Sequence, residues 1–195
     1  KLYVLASHFH PDHFNKEVLQ WREQRPDIIY IFSKDILRHR RAQKEDAVWL
    51  KKGEEYKDET LSVRAFGSTD VGVSFLLQTG GKKIFHAGDL NNWHWMDEST
   101  EAEWKGAEKN FLHELDDLYA YTPEVDVAMF PVDPRLGKEY MRGAGQFVTK
   151  IKTHIFVPMH FTPEYAKANA FRDFAEAHGV RFVSLTHRGQ KIEIE

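Results

Sequence analysis

The sequence predicts an α/β architecture in which two sheets pack together with helices outside them, and three observations carry that expectation. Short apolar runs alternate with amphipathic stretches along the whole chain, without an internal repeat, a low-complexity tract or a Pro/Gly-rich linker. The early strand-like runs come as antiparallel pairs, whereas the later ones alternate with helical stretches. With 195 residues, 42% hydrophobic and 13% aromatic, the chain can bury a substantial core as one domain spanning residues 1–195.

The elements follow in order. Leu2 to Ala6 is a short apolar strand. Asn15 supplies a side-chain oxygen able to cap a helix that runs through Gln24 and carries Val18, Leu19 and Trp21, and Pro26-Asp27 breaks it. The β-branched and aromatic run Ile28 to Phe32 is a second strand, after which Ser33 or Asp35 starts a short helix. Strands are expected at Leu61 to Phe66 and Val71 to Thr79, with Gly80-Gly81 turning the chain into a hairpin partner at Lys83 to Ala87. A long helix from about Thr100 to Tyr121 presents Phe111, Leu115 and Leu118 at helical spacing. Then come a buried-type strand Val125 to Pro131, a helix near Lys138 to Lys152, a strand Ile155 to Pro158, a helix Pro163 to His178, and closing strands Arg181 to Leu185 and Lys191 to Ile194.

Composition narrows the function. Basic and acidic residues number 27 and 30, a net charge of -3, so no basic surplus draws the molecule onto nucleic acid. Cysteine is absent, which removes disulfides, thiolate nucleophiles and thiolate-bound metals and leaves His, Asp and Glu as ligands. No apolar run approaches the ~20 residues of a membrane span, and Leu2 to Ala6 falls short of the ~7 residues of a signal-peptide core. The expected compartment is the cytoplasm, with no membrane partner.

The chemistry is concentrated in Ser7-His8-Phe9-His10-Pro11-Asp12-His13, where three imidazoles and a carboxylate follow directly on the first strand. With 11 His in the chain, H-x-H-x-D-H arises by accident in roughly two sequences per thousand of this composition. Imidazole nitrogen and carboxylate oxygen suit zinc, iron or manganese, and a strand end can aim several of them at one point. Three more strand ends carry polar residues that could converge there: Gly67-Ser68-Thr69-Asp70, His86-Ala87-Gly88-Asp89 and Pro158-Met159-His160.

This arrangement resembles the metallo-β-lactamase fold superfamily, an αββα sandwich with metal ligands on loops along one edge of its two sheets. The Phe85-to-Asp89 strand end and Val157-Pro158-Met159-His160 are similar to its lactonase-like hydrolases, a looser match. The resemblance implies metal ligation by His8, His10, Asp12 and His13, by Asp89 as a bridging aspartate, and by His160. It also implies strands before the first one here, and since the chain starts at Lys1 with the motif close behind, we expect it to be N-terminally incomplete. Where the superfamily has a third histidine for the first metal position, this sequence has Ser68, with Asp70 as a stand-in ligand. The expectation is therefore one or two ions held unequally: the better position at Asp12, His13, Asp89 and His160, the weaker at His8, His10 and shared Asp89.

A divalent ion with an open position lowers the pKa of bound water from 15.7 to about 7 and polarises a carbonyl or phosphoryl oxygen, so hydrolysis of a small ester, lactone, amide or phosphate-containing molecule is expected. Asp12, if not fully engaged as a ligand, is the catalytic group that orients water or carries a proton. Trp93, His94 or Trp95, just after Asp89, is placed to line a pocket, and Arg135 either meets an anionic substrate or pairs with Asp133. His86 reads as a supporting or core histidine and His187 as part of a turn. A metallo-nuclease or phosphodiesterase of the same superfamily and a non-catalytic binding module are the alternatives. A sheet edge left uncovered by missing strands would favour a homo-oligomer.

Overall fold

In the computed structural model, which describes residues 1–194, ten strands form two sheets. The smaller sheet holds β1 (Leu2–Ala6), β2 (Ile28–Ser33) and β3 (Val48–Leu50), all parallel, with Leu2 opposite Ile28 and Ile31 opposite Val48. The larger contains β4 (Glu55–Lys57), β5 (Ser62–Phe66), β6 (Ser74–Thr79), β7 (Lys82–His86), β8 (Glu124–Pro131), β9 (Lys152–Met159) and β10 (Arg181–Phe182). They lie in the order β10-β9-β8-β7-β6-β5-β4. Pairing is antiparallel from β4 to β7 and parallel from β7 to β10, matching the change from hairpin turns to helical crossovers along the sequence.

The αββα layering follows from which face each side chain takes. Successive strand residues point to opposite faces, and in β1 the residues Leu2, Val4 and Ala6 pack outward with Phe14 and Ile36, while Tyr3 and Leu5 pack inward with Val63 and Phe75 of the other sheet. The same division in the larger sheet sends Leu76, Phe85, Ala128 and Phe130 to the helical layer. That layer is α2 (Glu101–Tyr121), α3 (Arg142–Lys150), α4 (Tyr165–Asn169) and α5 (Arg172–Ala177); α1 (Lys34–Arg38) lies on the smaller sheet. Strands buried on both faces explain why β2 and β8 read as nearly unbroken apolar runs.

Several expected elements differ. The segment after Asn15 is a 3-10 helix, Lys16–Glu23, although Asn15 does cap it by accepting from the Glu17 amide at 2.9 Å. The helix expected from Pro163 to His178 is split into α4 and α5, and the break turns Phe171 fully into the core. Of the two closing strands only Arg181–Phe182 forms. The side-chain amides of Asn169 and Gln190 take the Leu185 and Thr186 backbone groups that a longer ladder would have used, and His187 lies in the resulting turn. The short strands β3 and β4 were not anticipated. No described helix is long and apolar enough to cross a membrane.

Candidate metal centre

β1 ends at Ala6 and hands the chain to the loop carrying His8, His10, Asp12 and His13. The loop is closed by amides of His13 and Phe14 donating to the His10 carbonyl at 3.0 and 2.8 Å, and tied to α1 by the Phe9 amide donating to Asp35 at 3.0 Å. Asp89 follows β7, His160 follows β9, and Asp70 lies in the β5–β6 connection. All are at one edge of the sandwich, where strand ends from both sheets meet.

Two groups of donors result. His8, His10, Asp70 and Asp89 each offer an atom within 4.8 Å of the others, and so do Asp12, His13 and His160. Asp89 stands between them: Oδ2 is 3.2 Å from His8 Nε2, while Oδ1 is 3.1 Å from His13 Nε2 and 3.3 Å from His160 Nε2. Asp12 Oδ2 lies 3.5 Å from His13 Nε2 and 4.0 Å from His160 Nε2, and Asp70 Oδ2 lies 3.6 Å from His10 Nδ1. Donors around a tetrahedral ion with arms of ~2.0–2.1 Å sit roughly 3.3 Å apart, close to these separations.

The donor set also passes a test of need. His8 Nε2 and Asp89 Oδ1 are buried and have no partner with hydrogen-bond geometry among the described residues, despite lying close to the opposing groups. Buried polar atoms are rarely left so; a cation in the first donor group would satisfy His8 Nε2, which faces Asp89 Oδ2, and one in the second would satisfy Asp89 Oδ1, which faces His13 and His160. Burial alone would raise the Asp89 pKa, but the contacts with His13 and His8 outweigh it and hold the carboxyl well below the usual carboxylate range. Asp89 is therefore the anion that ligation requires.

His160 is fixed from behind by Asp133, which is fully buried: Nδ1 lies 3.0 Å from Asp133 Oδ2. A carboxylate on Nδ1 favours the tautomer that leaves Nε2 free to face Asp89 and Asp12. Burial would raise the Asp133 pKa, yet His160 and Arg135 together bring it down to about 2. Burial would lower the His160 pKa, and Asp133 reverses that. His160 has φ of 60°, a left-handed backbone in a non-glycine residue, which costs on the order of 1 kcal/mol and aims the ring away from the course of β9.

A pocket of about 280 Å³ opens on both donor groups, lined by Asp70, Asp89 and His160 with Thr69, Trp93, Trp95 and Arg135. The indoles of Trp93 and Trp95 lie nearly parallel with centroids 6.4 Å apart, and Trp93 meets the His160 ring edge-on at 5.5 Å. A larger groove of about 510 Å³ lies beside α3 and α5 and is lined by no histidine; the candidate donors are at the smaller pocket. Of the two alternatives for Arg135, the pairing with Asp133 is the one the structure contains. Its Nε lies 3.0 Å from the Asp133 carboxylate, and the half-exposed guanidinium still lines the pocket.

His94 does not line the pocket. It is fully buried, with Nε2 3.1 Å from the Glu139 carbonyl and Nδ1 accepting from the Met96 amide at 3.1 Å, so both ring nitrogens are spent on holding the loop. Trp95, with φ of 42°, takes the pocket side instead. His86 joins neither donor group; its Nδ1 accepts from the Gly88 amide at 3.1 Å, which shapes the turn into Asp89. The Asp89 loop is further held by Thr69, whose hydroxyl accepts from the Asn91 amide and donates to the Asn91 carbonyl, and by Glu108, which receives the Asn92 side-chain amide at 2.9 Å. Thr69 and Glu108 were not singled out from the sequence, because their partners lie 22 and 16 residues away.

The fold occurs in solved structures. Igni18, a metallo hydrolase from Ignicoccus hospitalis, is similar with a TM-score of 0.63 and 16% identity over 95% of this chain and 76% of that one. Zn(2+)-bound PqqB from Methylobacterium extorquens follows at 0.54 and 16%, over 93% and 70%. CmlA, a diiron β-hydroxylase from Streptomyces venezuelae, reaches 0.59 and 14%, over 92% and 43%. Identities this low establish the fold alone. No curated protein matches by sequence. The sequence pattern described as the beta-lactamase superfamily domain matches residues 2–161, from the first strand to the residue after His160. On that match, and with the αββα layers and donor loops where they are, the chain belongs to the β-lactamase superfamily.

Proposed function

We propose that this protein is a metal-dependent hydrolase of a small ester, lactone, amide or phosphate-containing molecule, with zinc as the most fitting metal. One observation carries the reading: Asp89 turns one carboxylate oxygen to His8 and the other to His13 and His160, so two donor groups share a single buried anion. His8, His10, Asp70 and Asp89 would hold one ion, and Asp12, His13, Asp89 and His160 another. An all-imidazole and carboxylate set without thiolate suits zinc and also admits iron or manganese. When bound, a divalent ion supplies a Lewis acid for the carbonyl or phosphoryl oxygen and lowers the pKa of a nearby water.

The protein's own groups supply the rest. Asp12 is exposed, with Oδ2 at the mouth of the second donor group. Where it is not fully engaged as a ligand, it accepts there the proton of the attacking water as the new bond to carbon or phosphorus forms, and returns it to the leaving group as the old bond breaks. Asp133 keeps His160 Nε2 turned inward. Trp93 and Trp95 give an apolar wall, and Arg135 offers a cation to a negatively charged substituent. A pocket of about 280 Å³ suits a small molecule.

The test is metal analysis of the purified protein combined with a screen of lactone, ester, amide and phosphoester compounds before and after chelation. Activity lost on chelation and restored by metal is the expected result; a metal-replete protein inactive on all of them refutes the hydrolase. Within an active class, Arg135→Ala should weaken anionic substrates by about 1.5–3 kcal/mol, roughly 10- to 150-fold, while sparing neutral ones. Equal losses on both would remove Arg135 from substrate recognition.

A further inference from the structure

We propose that Ser7 is a positioning residue shared by both donor groups, its one hydroxyl oxygen setting the ring orientation and tautomer of His8 and His13 together. Ser7 Oγ lies 3.0 Å from His8 Nδ1 and 3.3 Å from His13 Nδ1. The opposite nitrogens of the same two rings face the two oxygens of Asp89, at 3.2 and 3.1 Å. The two rings lie against one another, with centroids 3.9 Å apart. One oxygen thus stands behind both imidazoles and one carboxylate in front.

The chemistry of the groups makes this more than proximity. A neutral imidazole that ligates through Nε2 must carry its proton on Nδ1, and a hydroxyl oxygen has two lone pairs with which to accept two such protons. Ser7 can therefore satisfy both rings in the ligating tautomer at once. An alanine would leave two Nδ1–H groups behind the donors without an acceptor, and at His8, which is fully buried, water has no access to replace it.

The backbone around Ser7 is built to hold it there. Its carbonyl accepts from the Val73 amide at 3.0 Å, and two glycines with positive φ let neighbouring loops close on it. A Cβ at Gly72 would lie 2.1 Å from the Ser7 carbonyl oxygen, and one at Gly88 2.8 Å from the Ser7 Cβ. Only glycine permits that approach at both positions. Gly88 immediately precedes Asp89, so the same contact sets the shared carboxylate against the shared hydroxyl.

This inference rests on the reading that the donors hold metal, and two measurements test it. In the zinc-loaded protein, 15N spectra of the imidazoles should show His8 and His13 both protonated at Nδ1; a proton-free Nδ1 on either ring overturns the proposal, with no substitution needed. Chelator competition should then show that Ser7→Ala weakens both zinc equivalents, by roughly 10- to 100-fold each. A change confined to one equivalent, or both within twofold of the parent, overturns the shared role, and if Ser7→Ala does not fold the tautomers still decide. A parent that takes up no zinc overturns the metal reading and this one with it, whereas normal zinc binding with the wrong tautomers overturns Ser7 alone.

Discussion

The two donor groups differ less in the number of their ligands than in how firmly those ligands are held. In the first, His8 is fully buried, but its companions are loose: the His10 side chain is 37% exposed and that of Asp70 45%, and they approach only to 3.6 Å. In the second, His13 and His160 are each 13% exposed and backed by Ser7 and Asp133 respectively; only Asp12 stands out in solvent, at 67%. Preorganised ligands lose little entropy on binding an ion, whereas exposed side chains must be ordered at that moment. Unequal occupancy is thus expected on different grounds from those the sequence suggested. Asp70 stands beside His10 where Ser68 supplies no imidazole, so the first group is expected to be the weaker because two of its four donors are substantially exposed and not because it lacks one.

The largest effect should come from the atom pair the groups share. Asp89→Ala removes a carboxylate from both, and we expect loss of both ions and a fall in hydrolysis on the order of a thousandfold or more, the equivalent of about 4 kcal/mol of lost charge stabilisation. Metal content per chain is the measurement. A variant that keeps one full equivalent would show that Asp89 serves a single position.

Asp133→Asn should separate the groups. It retains the size of the side chain but removes the charge that fixes His160, so the second ion should bind about 10- to 100-fold more weakly while the first is unchanged. Stepwise chelator titration reads both. Equal weakening of the two would mean that Asp133 acts on the whole edge through Arg135 instead of through His160.

These differences also mark what could be read from the sequence. His8, His10, Asp12 and His13 are legible because they sit in six consecutive residues, and chance does not assemble such a run. Asp89 and His160 were legible only through resemblance, since Gly-Asp and a lone histidine are common. Asp133 was visible as a neighbour of Arg135, two residues on, but its contact with His160 spans 27 residues and only the parallel pairing of β8 with β9 creates it. His94 is turned away from the pocket because its ring nitrogens bond the Glu139 carbonyl, 45 residues on, and the Met96 amide, and nothing in Asn91-Asn92-Trp93-His94-Trp95 marks the distant partner. The long helix α2 and the central strands are legible because their apolar periods are long, whereas the helix expected near Lys138 to Lys152 forms only over Arg142–Lys150 and that from Pro163 to His178 breaks in two. The three-residue strands β3 and β4 were missed because an exposed Val48 and a half-polar Glu-Tyr-Lys carry no period to detect.

A smaller effect is expected from Asp70→Ala. Its carboxylate is nearly half exposed and meets His10 at 3.6 Å, so its removal should weaken the first ion by about tenfold and leave the second untouched. If it strips the first ion as thoroughly as His8→Ala does, exposure is not what separates the groups.

The smallest effect, and a control on the comparison, concerns a residue that supports both groups equally. Glu108 holds the loop after Asp89 through Asn92, and is held in turn by Arg142 and Gln146. The Arg142 contact chiefly, against a burial that would raise it, brings the Glu108 pKa down to about 2 from an ordinary 4.5. A carboxylate whose folded pKa is depressed stabilises the fold fully above its unfolded value, and that contribution is lost as pH falls from about 4.5 through about 2. The Arg142 side chain is 35% exposed, so solvent screening reduces the contribution to about 1–2 kcal/mol. Glu108→Gln should therefore be less stable than the parent in urea at pH 7 by that amount, and the gap should close as both proteins are taken towards pH 2. Zinc affinity should fall by less than about threefold and equally at both positions, since the loop it steadies carries the one ligand they share. A loss confined to one position would mean that Asp89 is not held as a common bridge, and a stability gap that persists unchanged at pH 2 would mean that the Glu108 charge is not what holds the loop.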